Sequence, residues 1–237
     1  APTAAACERA QALAGELLER AARDSGALPE CVAVVLWGSD NLKTDCEGVA
    51  QVLALMGARP LPDELGAVSD VALIPLAELG RPRVDVVATV SGIFRDLLGT
   101  QMALIDKAAR LAATADEPPE LNFVRKHALA QAAALGLPLE EAARRAFANA
   151  PGSYGAHVNH MVESGAWDED GQIADAFLSR KGFARGADGQ WRDARPLLEQ
   201  ALATVELSFQ NVDSFEVGIS DIDTYYESLG GVSKSVE

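Results

Sequence analysis

A doubly wound α/β sheet is predicted by two apolar runs of strand length, each followed by a turn and a helix-patterned segment. The runs are Cys31 to Trp37 and Val84 to Val90. Neither alternates apolar with polar residues, as a strand with one wet face would. A strand covered on both faces, as in a parallel sheet between helix layers, needs no alternation. The third observation is order: strand, helix, strand, strand, helix along the first half of the chain, the rhythm of a Rossmann- or flavodoxin-like fold. Such sheets bind ligands at the carboxyl ends of their strands, here Trp37-Gly38-Ser39-Asp40 and Ser91-Gly92.

Ala4 to Ala22 opens the chain as an amphipathic helix, with Leu13, Leu17, Leu18 and Ala21 at helical spacing and a stop at Asp24-Ser25-Gly26. After the first strand, Gly38 to Asn41 reads as a loop, and a helix spans about Glu47 to Met56, ended by Gly57. Val71 to Pro75 is a short second strand. Beyond the third strand a helix runs from about Ile93 to Ala113. Asp116-Glu117-Pro118-Pro119 is the clearest break, dividing an α/β domain (1–116) from a mainly helical region with an acidic tail (117–237). In that region helices are expected over Asn122–Leu135, Leu139–Ala148, Val158–Glu163, Ile173–Arg180 and Ala194–Phe209, with loops at Pro151–Gly155 and Gly182–Gly189.

The 237 residues carry a formal charge of −15 and are 49% hydrophobic. The hydrophobic content supports a core and excludes wholesale disorder. The charge repels phosphate backbones, so nucleic acid is not an expected partner. No apolar run reaches the roughly 18–20 residues that span a bilayer, so no membrane span is expected. Three scattered cysteines, Cys7, Cys31 and Cys46, fit neither a disulfide framework nor a Cys-x-x-Cys metal knuckle. A cytoplasmic location follows as an expectation. The chain starts without Met, and it reads as a piece of something longer.

His157, His160 and Glu163 follow one another at spacings of three, which a helix stacks along one face. They are either a metal-binding or proton-moving set, or a polar helix face. Asn41, Lys43, Asp45 and Glu47 follow the first strand, and Arg95-Asp96 the third. These positions suit a ligand edge as well as helix-start charges. Arg125-Lys126-His127 is a basic spot able to grip an anion or simply to solvate a helix. No Gly-x-Gly-x-x-Gly, phosphate loop or nucleophile elbow is present, so residue patterns alone name no reaction.

Several stretches together resemble a known family. Val35-Leu-Trp-Gly-Ser-Asp-Asn-Leu-Lys43, Glu47-Gly-Val-Ala-Gln-Val-Leu-Ala-Leu-Met-Gly-Ala-Arg-Pro60, Ile74-Pro-Leu-Ala-Glu-Leu-Gly-Arg-Pro-Arg-Val-Asp85 and Ser91-Gly-Ile-Phe-Arg-Asp96 resemble the large subunit of the tetrapyrrole metal chelatases. Leu121-Asn-Phe-Val-Arg-Lys-His127, Phe147-Ala-Asn-Ala-Pro-Gly-Ser-Tyr154, Leu178-Ser-Arg-Lys-Gly-Phe183 and Leu229-Gly-Gly-Val-Ser-Lys-Ser235 resemble the magnesium branch rather than its cobaltochelatase relative. The family continues with Asn-Val-Asn-Leu-x-Val-Glu-Asn where this chain reads His157-Val-Asn-His-Met-Val-Glu-Ser164. Asn159 and Glu163 match that pattern; His157 and His160 depart from it.

The resemblance implies a fragment of the porphyrin-binding subunit of magnesium chelatase, which places Mg²⁺, a substrate ion, into protoporphyrin IX for chlorophyll or bacteriochlorophyll synthesis. ATP would be used by AAA+ ATPase-type partner subunits and not bound here. The isolated fragment is expected to be inactive. Inside the resemblance, Glu163, His127 and Glu47 are the candidate catalytic groups. Arg95, Arg125, Lys126, Tyr154, Asn159 and Arg180 are the candidate porphyrin-binding groups. Glu163, His157 and His160 are the candidate metal ligands, a carboxylate suiting hard Mg²⁺ better than a thiol does. Two rival readings are the cobalt enzyme, acting on hydrogenobyrinic acid a,c-diamide, and a non-catalytic scaffold that docks the ATPase subunits.

Overall fold

The computed structural model describes residues 1–64, 67–156, 158, 161, 164–165, 170–186, 188–212 and 229–236. Strands β1 (Cys31–Leu36) and β4 (Asp85–Val90) pair in parallel from Cys31 opposite Asp85 to Leu36 opposite Val90. Every residue of both strands is buried. Helices cover both faces, as their largely apolar runs require. Val32, Val34 and Leu36 face a core built with α1 (Ala4–Ser25), α3 (Glu47–Leu55) and α6 (Gly99–Thr114). Cys31, Ala33 and Val35 face a second core built with α9 (Asp170–Lys181), α10 (Arg195–Leu202) and α11 (Gly231–Val236). The α/β sheet between helix layers is therefore present as expected.

Local chemistry sets the helix limits. Thr3 Oγ1 accepts a hydrogen bond from Ala6 N at the start of α1, and Gly26, at φ 85°, closes it in the left-handed conformation. Ala6, Ala10, Ala14 and Leu18 recur every four residues, so α1 packs closely on α3 through small side chains. Asn122 caps α7 (Phe123–Leu135) by accepting from Arg125 N.

Several elements differ from the sequence reading. The loop expected after β1 is a short helix, α2 (Gly38–Lys43), and the helix expected over 93–113 is divided at Leu98 into α5 (Gly92–Leu97) and α6. Val71 to Pro75 does not enter the main sheet. It belongs largely to β3 (Val68–Leu73), the antiparallel partner of β2 (Ala58–Pro62) in a separate hairpin. The helix expected over 139–148 stops as α8 (Leu139–Ala142), and β5 (Ala146–Phe147) follows it. The segment expected as a loop over 182–189 contains β6 (Phe183–Arg185), which pairs with β7 (Trp191–Asp193). The last expected helix ends at Leu202, and β8 (Leu207–Gln210) follows.

The main sheet has the order β5-β4-β1-β8, all parallel. Residues on both sides of the expected division at 116 thus build one sheet. The strand order reverses beside β1: β4 and β5 lie to one side of it and β8 to the other.

Candidate functional site

At the carboxyl edge the end of β1 is tied to the end of β4. Ser91 Oγ accepts from Gly38 N and from Phe94 N, both at 3.1 Å, and so caps α5 while holding the start of α2. Asn41 donates to Trp37 O at 2.9 Å and accepts from Val49 N at 3.3 Å, joining α2 to α3. Across the point where the strand order reverses, Trp37 Nε1 donates to Gln210 Oε1 at 3.2 Å.

Arg95 is 5% exposed and organises the loop after β5. Its Nη1 donates to Asn149 O, Ala150 O and Ser153 O at 2.6–3.1 Å, while Nε and Nη2 grip Asp96. Tyr154 follows that loop. Its hydroxyl donates to Asp96 Oδ2 at 2.6 Å, and the Arg95 guanidinium carbon lies 5.2 Å from its ring centroid. The hydrogen bond from Arg95, then that from Tyr154, holds Asp96 below the usual carboxylate range; the Asp96 partner pushes the Tyr154 hydroxyl up. Arg180 donates to Ser153 Oγ at 3.0 Å, and buried Lys181 donates to Val90 O at 3.0 Å. Thr89 Oγ1 and Asn149 Oδ1, both buried, have no hydrogen-bond partner among the described residues.

The amino edge carries a different set. Asp85, the first residue of β4, is fully buried and accepts from Arg145 Nε at 2.7 Å and Nη2 at 3.1 Å. His127 on α7 lies with Nδ1 3.0 Å from Asp85 Oδ2 and Nε2 3.3 Å from Glu30 Oε2. Lys126 pairs with Glu30 as well. Burial pushes the Asp85 carboxyl up, but Arg145 and His127 outweigh it and hold the group below its ordinary range. The Lys126 hydrogen bond lowers Glu30 too. Ligand atoms of Cys31, Asp85 and His127 lie within 4.8 Å of one another, a donor set of the kind that binds zinc. Yet burial drives the Cys31 thiol pKa upward, and both Asp85 oxygens already accept from Arg145 and His127. The cluster is a buried ion network.

The structure divides the sequence-predicted residues between these edges. Arg95, Tyr154 and Arg180 meet at the carboxyl edge. Lys126 and His127 join the amino-edge network, and Arg125 donates to Ala113 O at 2.9 Å at the end of α6. A six-residue strand separates the two groups by about 17–20 Å. Arg95 and Lys126 have their cationic donors engaged by protein oxygens. Glu47 pairs with Arg9 and so fastens α3 to α1. His157, Asn159, His160 and Glu163 lie outside the described residues. Sequence reasoning missed Asp85, Arg145, Asn149 and Lys181. Only the charge of Asp85 and Arg145 inside apolar or Ala-rich stretches could have flagged that pair.

These features define a parallel α/β module with its polar loops gathered where such sheets bind ligands. The CobN/Magnesium Chelatase family model matches residues 1–237, and the chain belongs to that family. It is 47% identical over 237 residues to the magnesium-chelatase H subunit of Cereibacter sphaeroides, covering 100% of this chain and 20% of that protein. It is 48% identical over 231 residues to the chloroplastic magnesium-chelatase subunit ChlH of Oryza sativa subsp. indica, covering 96% of this chain and 17% of that one. The solved catalytic subunit of cobaltochelatase from Mycobacterium tuberculosis superposes with a TM-score of 0.94 at 36% identity, over 100% of this chain and 20% of that chain. The chain thus spans about a fifth of the length of these relatives. Among the described residues no helix is long and apolar enough to cross a membrane.

Proposed function

We propose that this chain is a segment of the porphyrin-binding subunit of a magnesium chelatase. That subunit would hold protoporphyrin IX while Mg²⁺ enters and two pyrrole protons leave, with ATP hydrolysed by AAA+-type partner subunits. The product, Mg-protoporphyrin IX, would feed chlorophyll or bacteriochlorophyll synthesis in a soluble compartment. The observation that carries this reading is 47% identity over the whole chain to a magnesium-chelatase H subunit, against 37% to the aerobic cobaltochelatase subunit CobN of a Sinorhizobium species.

The chemistry divides between carboxylates and cations. Mg²⁺ is a hard ion that sheds water reluctantly and takes oxygen ligands, so Glu163, assisted by Asn159, suits delivery of the ion and acceptance of a pyrrole proton. His157 and His160 are further proton acceptors in the same stretch. Arg180, next to Ser153 and Tyr154, suits a propionate. Arg95 supports this reading as the clamp that shapes the loop leading to those residues.

The test uses the whole subunit that carries this segment, with its ATPase partners, ATP and Mg²⁺. Mg-protoporphyrin IX formation, followed by fluorescence, is the expected result, and Glu163→Gln should slow it about a hundredfold or more. Cobalt insertion into hydrogenobyrinic acid a,c-diamide, with no magnesium activity, would overturn the reading.

A further inference from the structure

Four large apolar side chains that stay exposed gather at the carboxyl edge: Leu42 on α2, Ile93 and Leu97 on α5, and Tyr154. Gly38 and Leu42 lie one turn apart on α2, and Ile93 and Leu97 one turn apart on α5. The two helices meet at Gly38, where an added Cβ would come within 2.7 Å of Ile93 Cγ2. Gly92 is equally required, because the Tyr154 ring occupies the space that a Cβ there would need.

Tyr154 is 54% exposed yet is held from three directions, by Gly92, by its hydrogen bond to Asp96 and by Arg95 beside its ring. An exposed aromatic side chain ordinarily keeps its rotamer freedom. Here that freedom is lost on folding, so a flat ligand stacking on the ring orders little that is not already ordered. In a chain of net charge −15, the nearby Asp96 is neutralised by Arg95, Lys43 follows Leu42, and Arg180 reaches Ser153 beside Tyr154.

Resting on the reading above, we propose that α2, α5 and Tyr154 form a platform for one face of the tetrapyrrole. Leu42, Ile93 and Leu97 contact the macrocycle beside the Tyr154 ring. Arg95 is a positioning residue that acts through Tyr154.

The whole subunit that carries this segment is titrated with deuteroporphyrin IX, and tryptophan quenching is followed against an inner-filter control. Saturable quenching in the low micromolar range is expected. Ile93→Asp and Leu97→Asp should each weaken binding about tenfold or more, since a charge then faces the ring. Leu129→Asp, at an exposed site on α7, should leave binding unchanged. Arg95→Lys keeps the charge but loses the forked grip, and should weaken binding severalfold while circular dichroism stays native. Wild-type affinity in both α5 variants overturns the platform and leaves the chelatase reading standing. Absence of quenching in the wild type also overturns the platform, and the insertion assay on the whole subunit then judges the chelatase reading separately.

Discussion

The two ends of the central sheet solve opposite problems with similar residues. At the amino edge, Asp85, Arg145 and His127 are buried and satisfy one another, and Glu30 and Lys126 close the set toward solvent. At the carboxyl edge, Arg95 grips backbone carbonyls of a loop and leaves an aromatic ring exposed, with two buried polar atoms nearby unmatched among the described residues. The first arrangement is complete within the chain and fixes the strand starts. The second has its cation devoted to shaping a surface. Charge in a fold therefore indicates function less by its presence than by whether its partners are exhausted.

The sharpest way to break the contrast is Arg145→Met, which leaves Asp85 charged in the core without its guanidinium partner. A loss of about 3–5 kcal/mol in urea unfolding is expected. Adding Asp85→Leu should recover much of it, because an apolar pair has no uncompensated charge. Recovery would confine the network to a structural role.

Acid is the next lever. Asp85 and Glu30 have folded pKa values below their unfolded ones. Each contributes stability that is present above an unfolded pKa of about 4 and is lost as pH falls through the folded value. Burial raises Asp106, so its contribution is present in acid and is lost as pH rises above the same region. The urea midpoint should fall below about pH 4, and it should fall more steeply in Asp106→Asn.

A smaller effect is expected from Gly92→Ala. The new methyl displaces the Tyr154 ring while improving helix propensity, so porphyrin quenching should weaken with stability changed by less than about 1 kcal/mol. Unaltered quenching would detach Tyr154 from ligand binding. Smallest of all, Glu47→Gln removes the charge partner of half-exposed Arg9 and should cost about 0–1 kcal/mol in the same unfolding measurement.

Legibility in the sequence followed cover and distance. The strands β1 and β4 were legible because helices bury both their faces, which forces a largely apolar run without alternation. The short strands β5 and β8 were not. Ala146-Phe147 lies in an Ala-rich stretch that reads as helix, and Leu207 to Gln210 continues the pattern of α10. The strand β2 contains Pro60 and Pro62, which speak against a strand in a central sheet but are tolerated in an isolated hairpin. At the site, Ser91 and Arg95 drew attention as residues at a strand end. The pairing of Asp85 with His127 and Arg145 spans 42 and 60 residues, and no spacing rule announces it. The same holds for Arg95, whose loop contacts lie 54–58 residues away.

The pairing of β8 with β1 has a consequence for biosynthesis. Val32 waits for Leu207, so one side of the innermost strand stays open until about 175 more residues have left the ribosome. At 5–20 residues per second that is roughly 9–35 s during which a bare, wholly apolar strand edge is available to other nascent chains. A cell making this protein needs either a holding chaperone for that interval or a slow enough output to keep such chains apart.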